Sequence, residues 1–135
     1  MPDILNYIDG VLVPPVSGHY LDNHAPATGQ VYGRIPDSDS EAVERAVQAA
    51  KAAFPAWSDL DLNTRAQILV RIADLIEDRA EMLAQAESRD NGKPVELART
   101  VDIPRGSANF RYFARAITQI QGESYDMDSQ GLSYT

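Results

Sequence analysis

Cysteine is absent from the 135 residues, and that zero excludes disulfides, thiolate metal sites and a cysteine nucleophile within this chain. No apolar run approaches the ~20 residues that would span a bilayer. The opening stretch MPDILNYIDG has neither the basic region nor the long apolar region of an export signal. A cytoplasmic protein without membrane contact is the expectation. Basic residues are few: 12 Lys and Arg against 20 Asp and Glu give a formal charge of −8, which argues against a nucleic-acid partner because phosphate binding draws on clustered cations. What is present is the composition of an ordinary globular protein, 44% apolar and 24% charged. Its length suits one domain that buries about two thirds of the surface exposed by the unfolded chain.

Residues 1–36 read as strands and turns. In NYIDGVLV, Asp9-Gly10 stands between Tyr7-Ile8 and Val11-Leu12, a strong hairpin signal because both positions of such a turn need positive φ. In HYLDNHAPATGQVYGRIP, the PATG turn separates two further strand-like runs. From Ser38 the period becomes helical. Ser38 lies three residues before Glu41, a capping-box spacing, and Ala42, Val43, Ala46, Val47, Ala50 and Phe54 mark one apolar face. Pro55 is expected to stop this helix. Asp61 or Asn63 caps the next, with a stripe of Ala66, Leu69, Ile72, Ala73 and Ile76. The charged run EDRAE divides it from a continuation with Leu83 and Ala86, which Asn91-Gly92 and Pro94 terminate. Residues 123–135 alternate weakly and read as a strand or hairpin arm, with Asp126 and Asp128 on one solvated face.

The run DIPRG, residues 102–106, interrupts what is otherwise a helical pattern. Proline costs ~3 kcal/mol inside a helix and glycine about 1 kcal/mol. Asp102 is a good N-cap, however, and Pro104 is tolerated in a first turn, where its missing N–H would have had no partner. On this reading VELART is a separate short turn and residues 103–120 form a helix with Phe110, Phe113, Ala114 and Ile117 facing a core. Arg105 then sits at an element boundary, where a side chain can point into a cleft. A helix N-terminus disfavours a cation, so something else should reward it.

NYIDG, APATGQVYGRIPDS, AAKAAFPAWS, RIADLIEDR, ESRDNGKP and GLSYT, in this order and spacing, resemble the beginning of the NAD(P)-dependent aldehyde dehydrogenase superfamily from about residue 5 to the last residue. ARTVDIPRGSANFRYFA resembles the branch that oxidises 2-hydroxymuconic and 2-aminomuconic semialdehydes. The resemblance implies an α/β fold of which this chain is the mostly helical N-terminal part. Residues 1–122 would be hairpins and helices that pack on the cofactor-binding domain, and 123–135 the start of a bridging, oligomerisation strand. It also implies NAD as cofactor, an aldehyde as substrate and a homo-oligomer when full length. The family's cysteine, glutamate, asparagine and cofactor loop lie further along the fold, and no G-x-G-x-x-G follows a strand here. No catalytic or cofactor-binding residue is therefore expected in this chain, which reads as a truncated piece, inactive alone. The alternative is a stand-alone, non-catalytic helical module whose apolar faces bind a partner.

Within the resemblance, Arg105 is the candidate for holding the remote carboxylate of a muconic semialdehyde, a task suited to a permanently charged, two-pronged donor. Its alternative is a surface arginine paired with Asp102 or Glu96. Val101 would line the same tunnel if the helix starts earlier, or else simply pack. Asp90 matches a position that helps bind a structural monovalent cation together with main-chain carbonyls such as one near Asn23, and hard oxygen ligands suit such an ion. A plain helix-terminal turn residue is the alternative. His19 and His24 read as solvent-facing loop residues, and Trp57 and Tyr112 as packing residues.

Overall fold

The computed structural model describes residues 3–119, 122, 124–126 and 128–134. Asp9 at φ 52° and Gly10 at φ 80° make the two-residue turn between β1 (Asn6–Ile8) and β2 (Val11–Val13), which pair antiparallel with Ile8 opposite Val11. Such a turn twists in the same sense as the strands it joins, which is why Asp-Gly suits it. β3 (Tyr20–Ala25) and β4 (Gln30–Pro36) form the second hairpin, with a register shift between Asn23 and His24. The two hairpins are tied by Arg34, whose Nε and Nη2 each donate to Asp3 at 2.8 Å, and by the Ile4 amide, which donates to the Arg34 carbonyl at 2.8 Å.

α1 (Ser40–Ser58) starts one residue later than the capping-box spacing implies. Asp39 is the N-cap, and its Oδ1 accepts from the Ala42 amide at 3.0 Å. The Ser38 hydroxyl instead accepts from Asn6 Nδ2 at 2.8 Å, tying the first hairpin to the helix. Pro55 does not stop α1 either. It lies in the last turn, so only one ladder bond is forfeited near an end that would fray, and its carbonyl accepts from the Asp59 amide at 3.1 Å and from Ser58 Oγ at 2.9 Å. α2 (Leu62–Asp78) is capped by Asp61, which accepts from the Thr64 amide at 3.0 Å. Arg79 separates it from α3 (Ala80–Asn91), which Gly92 closes at φ 82°. The Cβ of any other residue at position 92 would stand 3.1 Å from Pro26 Cβ in the turn of the second hairpin. Position 92 therefore needs glycine twice, for its backbone and for its neighbour.

The DIPRG segment is not a helix start. A short α4 (Val95–Leu97) runs through a π-helical segment (Ala98–Asp102) directly into α5 (Ile103–Ala116). Asp102 has helical angles and makes no side-chain cap, so its expected N-cap role is absent. The Ile103 amide bonds to the Ala98 carbonyl, five residues back. A proline ring collides with the carbonyl four residues earlier in a regular α-helix. The wider π turn just before Pro104 accommodates the proline without breaking the helix. α5 gives way at Ile117–Gln119 to a 3-10 turn, shorter than the expected 103–120, of which residue 120 lies outside the described residues.

Alanines form the core. Ala42, Ala73, Ala84, Ala98 and Ala114 are buried together with Ser107, and among the described residues no large side chain is fully buried. Small side chains let the backbones of α2 and α5, the main helix pair, approach closely. The expected faces are only partly covered. Leu69, Ile72 and Ile76 of α2 and Phe110 of α5 are half-buried, whereas Val43, Phe54 and Phe113 are 57%, 63% and 61% exposed. Burial depends on what lies opposite a face, and among the described residues little covers these three. No described helix is long and apolar enough to cross a membrane.

β5 (Ser124–Asp126) and β6 (Leu132–Tyr134) pair antiparallel, so the arm is a hairpin with a partner for its last strand. Asp126 and Asp128 do not share a strand face. Asp128 begins a 3-10 turn at φ 54°, and its amide donates to Asp126 Oδ1 at 3.0 Å.

Candidate substrate-binding site

Arg105 and Val101 are four residues apart on continuous helical backbone, a spacing that puts them on one side. Both are exposed, Val101 by 46%. Each carboxylate that would make Arg105 an ordinary surface pair is engaged by another cation. Asp102 Oδ2 accepts from Lys93 Nζ at 2.5 Å, and Lys93 also reaches Glu87 at 3.0 Å. Glu96 accepts from Arg99 Nη1, and Arg99 forks onto Glu81 with Nε at 2.7 Å and Nη2 at 2.9 Å. Arg105 forms no ion pair among the described residues.

These networks also set the local electrostatics. Hydrogen bonds from Arg99, and then from Gln85, hold the Glu81 carboxyl well below its ordinary range, at about 2, and Arg99 is raised in turn. Lys93 is raised by its bonds to Asp102 and Glu87. On the other side of α5, Arg111 bridges Glu77 at 2.7 Å and Asp74 at 2.8 Å, and the buried Ser107 hydroxyl donates to Glu77. Glu77 is lowered by Arg111 and Ser107. This clamp locks α5 onto α2 and so fixes the frame on which Arg105 stands.

Asp90 meets Asn23 through the Asn23 side-chain amide, not through a main-chain carbonyl. Tyr32 Oη donates to Asp90 Oδ1 at 2.6 Å, and Asn23 Nδ2 lies 3.2 Å from the same oxygen and 2.9 Å from Tyr32 Oη. The Tyr32 and Asn23 bonds lower Asp90, and Asp90 raises Tyr32. Both donors converge on Oδ1, which leaves Oδ2 as a hard ligand. No group of three His, Cys, Asp or Glu able to hold a metal occurs among the described residues. The groups that meet Asp90, a phenol O–H and an amide N–H, are hydrogen-bond donors rather than further cation ligands.

Sequence reasoning missed Tyr32, Lys93, Ser107 and Arg111. The hairpin register, which sets Asn23 opposite Gly33, brings Tyr32 close to Asn23, and the Asp74, Glu77 and Arg111 charges are visible as opposite signs on two helices, but their pairing depends on how the helices pack. His19 and His24 are exposed, as expected, but only His19 is in a loop, since His24 lies in β3. Trp57 is 40% exposed and Tyr112 is 65% exposed, so neither is buried as a packing residue should be. Tyr112 meets Phe113 edge-on with centroids 5.2 Å apart.

The Rossmann pyrophosphate fingerprint is a glycine turn that leads a strand into a helix. Here the described positive-φ glycines serve hairpins (Gly10, Gly29), loops (Gly18, Gly131) or a helix end (Gly92). β4 passes into α1 through Asp37, Ser38 and Asp39, whose negative charge suits a pyrophosphate poorly.

Residues 13–135 match the aldehyde dehydrogenase family. The chain belongs to that family. It is similar to the 2-aminomuconic semialdehyde dehydrogenases of Bos taurus and Homo sapiens, 50% and 46% identical over 131 residues, which is 96% of this chain and 26% of each of those proteins. It also resembles the crystal structure of PnpE in complex with nicotinamide adenine dinucleotide, with a TM-score of 0.91, 41% identity and coverage of 99% of this chain and 27% of that one. The chain thus spans about a quarter of the length of these relatives. Its helices and small antiparallel sheets are consistent with an N-terminal piece of the aldehyde dehydrogenase fold.

Proposed function

We propose that this chain is the substrate-entry part of an NAD-dependent dehydrogenase that oxidises a carboxylated semialdehyde such as 2-aminomuconic or 2-hydroxymuconic semialdehyde. Arg105 binds the carboxylate remote from the aldehyde, and Val101 lines the tunnel beside it. The observation that carries this reading is an exposed guanidinium whose natural partners, Asp102 and Glu96, are held by Lys93 and Arg99. A cation without a counter-ion among the described residues, beside an apolar side chain, suits an anionic ligand with a hydrocarbon body.

The rest of the assignment follows the family. Residues 1–122 pack on the cofactor domain, residues 123–135 begin the oligomerisation arm of a cytoplasmic homo-oligomer, and Asp90 with main-chain oxygen near Asn23 holds a structural monovalent cation. NAD supplies the hydride acceptor when bound, held by residues outside this chain. Without a thiol among its 135 residues, the chain cannot form the covalent adduct from which a hydride would leave. NADH formation by the purified chain should therefore equal a buffer blank, and a steady rate above it would refute this part.

The test of the site compares 6-oxohexanoate with hexanal in the intact enzyme that carries this segment. Hydrogen bonds to charged groups contribute ~1.5–3 kcal/mol, so Arg105→Ala should lower the ratio of kcat/KM for the charged over the uncharged aldehyde about tenfold to a hundredfold. Arg105→Lys should recover only part, because a point charge lacks the fork. An unchanged ratio would reject Arg105 as the carboxylate ligand.

A further inference from the structure

The turn that carries Val101 and Arg105 is fixed from outside its own helix. Lys93, between the end of α3 and the start of α4, has its backbone tied on both sides: its amide donates to Asn91 Oδ1 at 2.9 Å, and its carbonyl accepts from Ser88 Oγ at 2.6 Å. From this anchored position its ammonium reaches Asp102 Oδ2 at 2.5 Å and Glu87 Oε1 at 3.0 Å. Asp102 is the last residue of the π segment, where the ladder changes from five-residue to four-residue bonds.

A π turn is rarely preferred by the backbone itself. Pro104 favours it by excluding the regular ladder to Thr100, but a proline does not choose where the extra residue is absorbed. The bond from Lys93 to Asp102 does, because it ties one residue of the wide turn to the anchored segment after α3. Shifting the register by one residue would rotate the following side chains by about 100°. Arg105, three residues after Asp102, would then point elsewhere. Both partners are part-exposed, with side chains 26% and 34% accessible, and pairs of that kind add little to stability. The effect of the pair falls on geometry.

We propose that Lys93, through its ion pair with Asp102, is a positioning residue for the carboxylate end of the substrate, holding the π turn in the register that aims Arg105. This rests on the role of Arg105 given above. In the intact enzyme, Lys93→Met should lower the charged-to-uncharged kcat/KM ratio, measured with 6-oxohexanoate and hexanal, about tenfold and chiefly through KM. Lys93→Arg, which keeps the charge, should retain most of the ratio. Lys93→Met should add nothing further in an Arg105→Ala background, since the two act on one contact. Asp102→Asn, which keeps the shape and removes the charge, should reproduce the tenfold fall and guards against a Lys93 variant that fails to fold. If Arg105→Ala lowers the ratio while Lys93→Met or a folded Asp102→Asn leaves it unchanged, the positioning role is wrong and the binding role stands. If Arg105→Ala itself leaves the ratio unchanged, both fall.

Discussion

Replacing Gly92 by alanine should destabilise the chain through two separable causes. Position 92 has φ 82°, a left-handed conformation that costs an L-residue with a Cβ roughly 1–2 kcal/mol. The new Cβ would also lie 3.1 Å from Pro26 Cβ and 3.4 Å from the Ala27 amide nitrogen. These belong to a proline ring and a backbone, which cannot swing aside as a flexible side chain would. Relieving such contacts forces small backbone shifts of the kind that cost about 1–3 kcal/mol. Gly29 is the control: it has φ 70°, and its Cβ would meet nothing within 4 Å. Both substitutions also restrict the unfolded chain similarly, so that contribution cancels in the comparison. Gly29→Ala should therefore cost about 1–2 kcal/mol and Gly92→Ala about 2–5 kcal/mol. Urea unfolding followed by circular dichroism measures both, with the midpoint shift interpreted only where the slope is unchanged. Equal losses at the two positions would mean that α3 does not press on the second hairpin as the structure has it.

Glu81 supplies a prediction in pH. Its folded pKa is depressed to about 2 from an ordinary 4.5, so its contribution to stability is present above pH 4.5 and is lost as pH falls towards 2. The midpoint difference between wild type and Glu81→Gln should therefore shrink across that window, and more salt should shrink it at pH 6, because the carboxylate is mostly exposed; a difference independent of pH would contradict the Arg99 fork. The isolated chain should bind a hydrophobic dye or self-associate, since Val43, Phe54 and Phe113 stand exposed over an alanine core. A monodisperse, dye-negative monomer that melts cooperatively would show that these faces need no cover.

The local turns were the most legible part of the fold. Asp9-Gly10 specifies its hairpin because the demand for positive φ is met by those two residues and needs nothing distant. Gly92 ends α3 for the same kind of reason. Boundaries failed where a distant group decided them. Ser38 and Asp39 are both competent caps, and the choice between them turns on Asn6, 32 residues away, which takes the Ser38 hydroxyl. The apolar face of α1 was legible as a face, whereas its exposure at Val43 and Phe54 was not. Periodicity reports which residues belong together, but burial depends on a surface that the described residues do not supply for Val43 and Phe54.

Arg105 was legible as a candidate from its neighbours, but its backbone setting was not. Proline and glycine beside Arg105 admit two solutions, a helix that starts at DIPRG or a helix that widens before it, and local propensity favours the first. The structure takes the second because Asp102, the natural cap, is drawn off by Lys93, leaving the upstream turn free to continue into α5. That changes the electrostatic argument. At a true N-terminus, unbonded amides would gather beneath Arg105 and oppose its charge, whereas here the Ile103 amide is already bonded to the Ala98 carbonyl. Little helix-dipole penalty remains for a ligand to offset. The case for binding rests instead on arrangement: Lys93 and Arg99 take the nearby carboxylates, and Arg105 keeps its full capacity for an anion brought from outside.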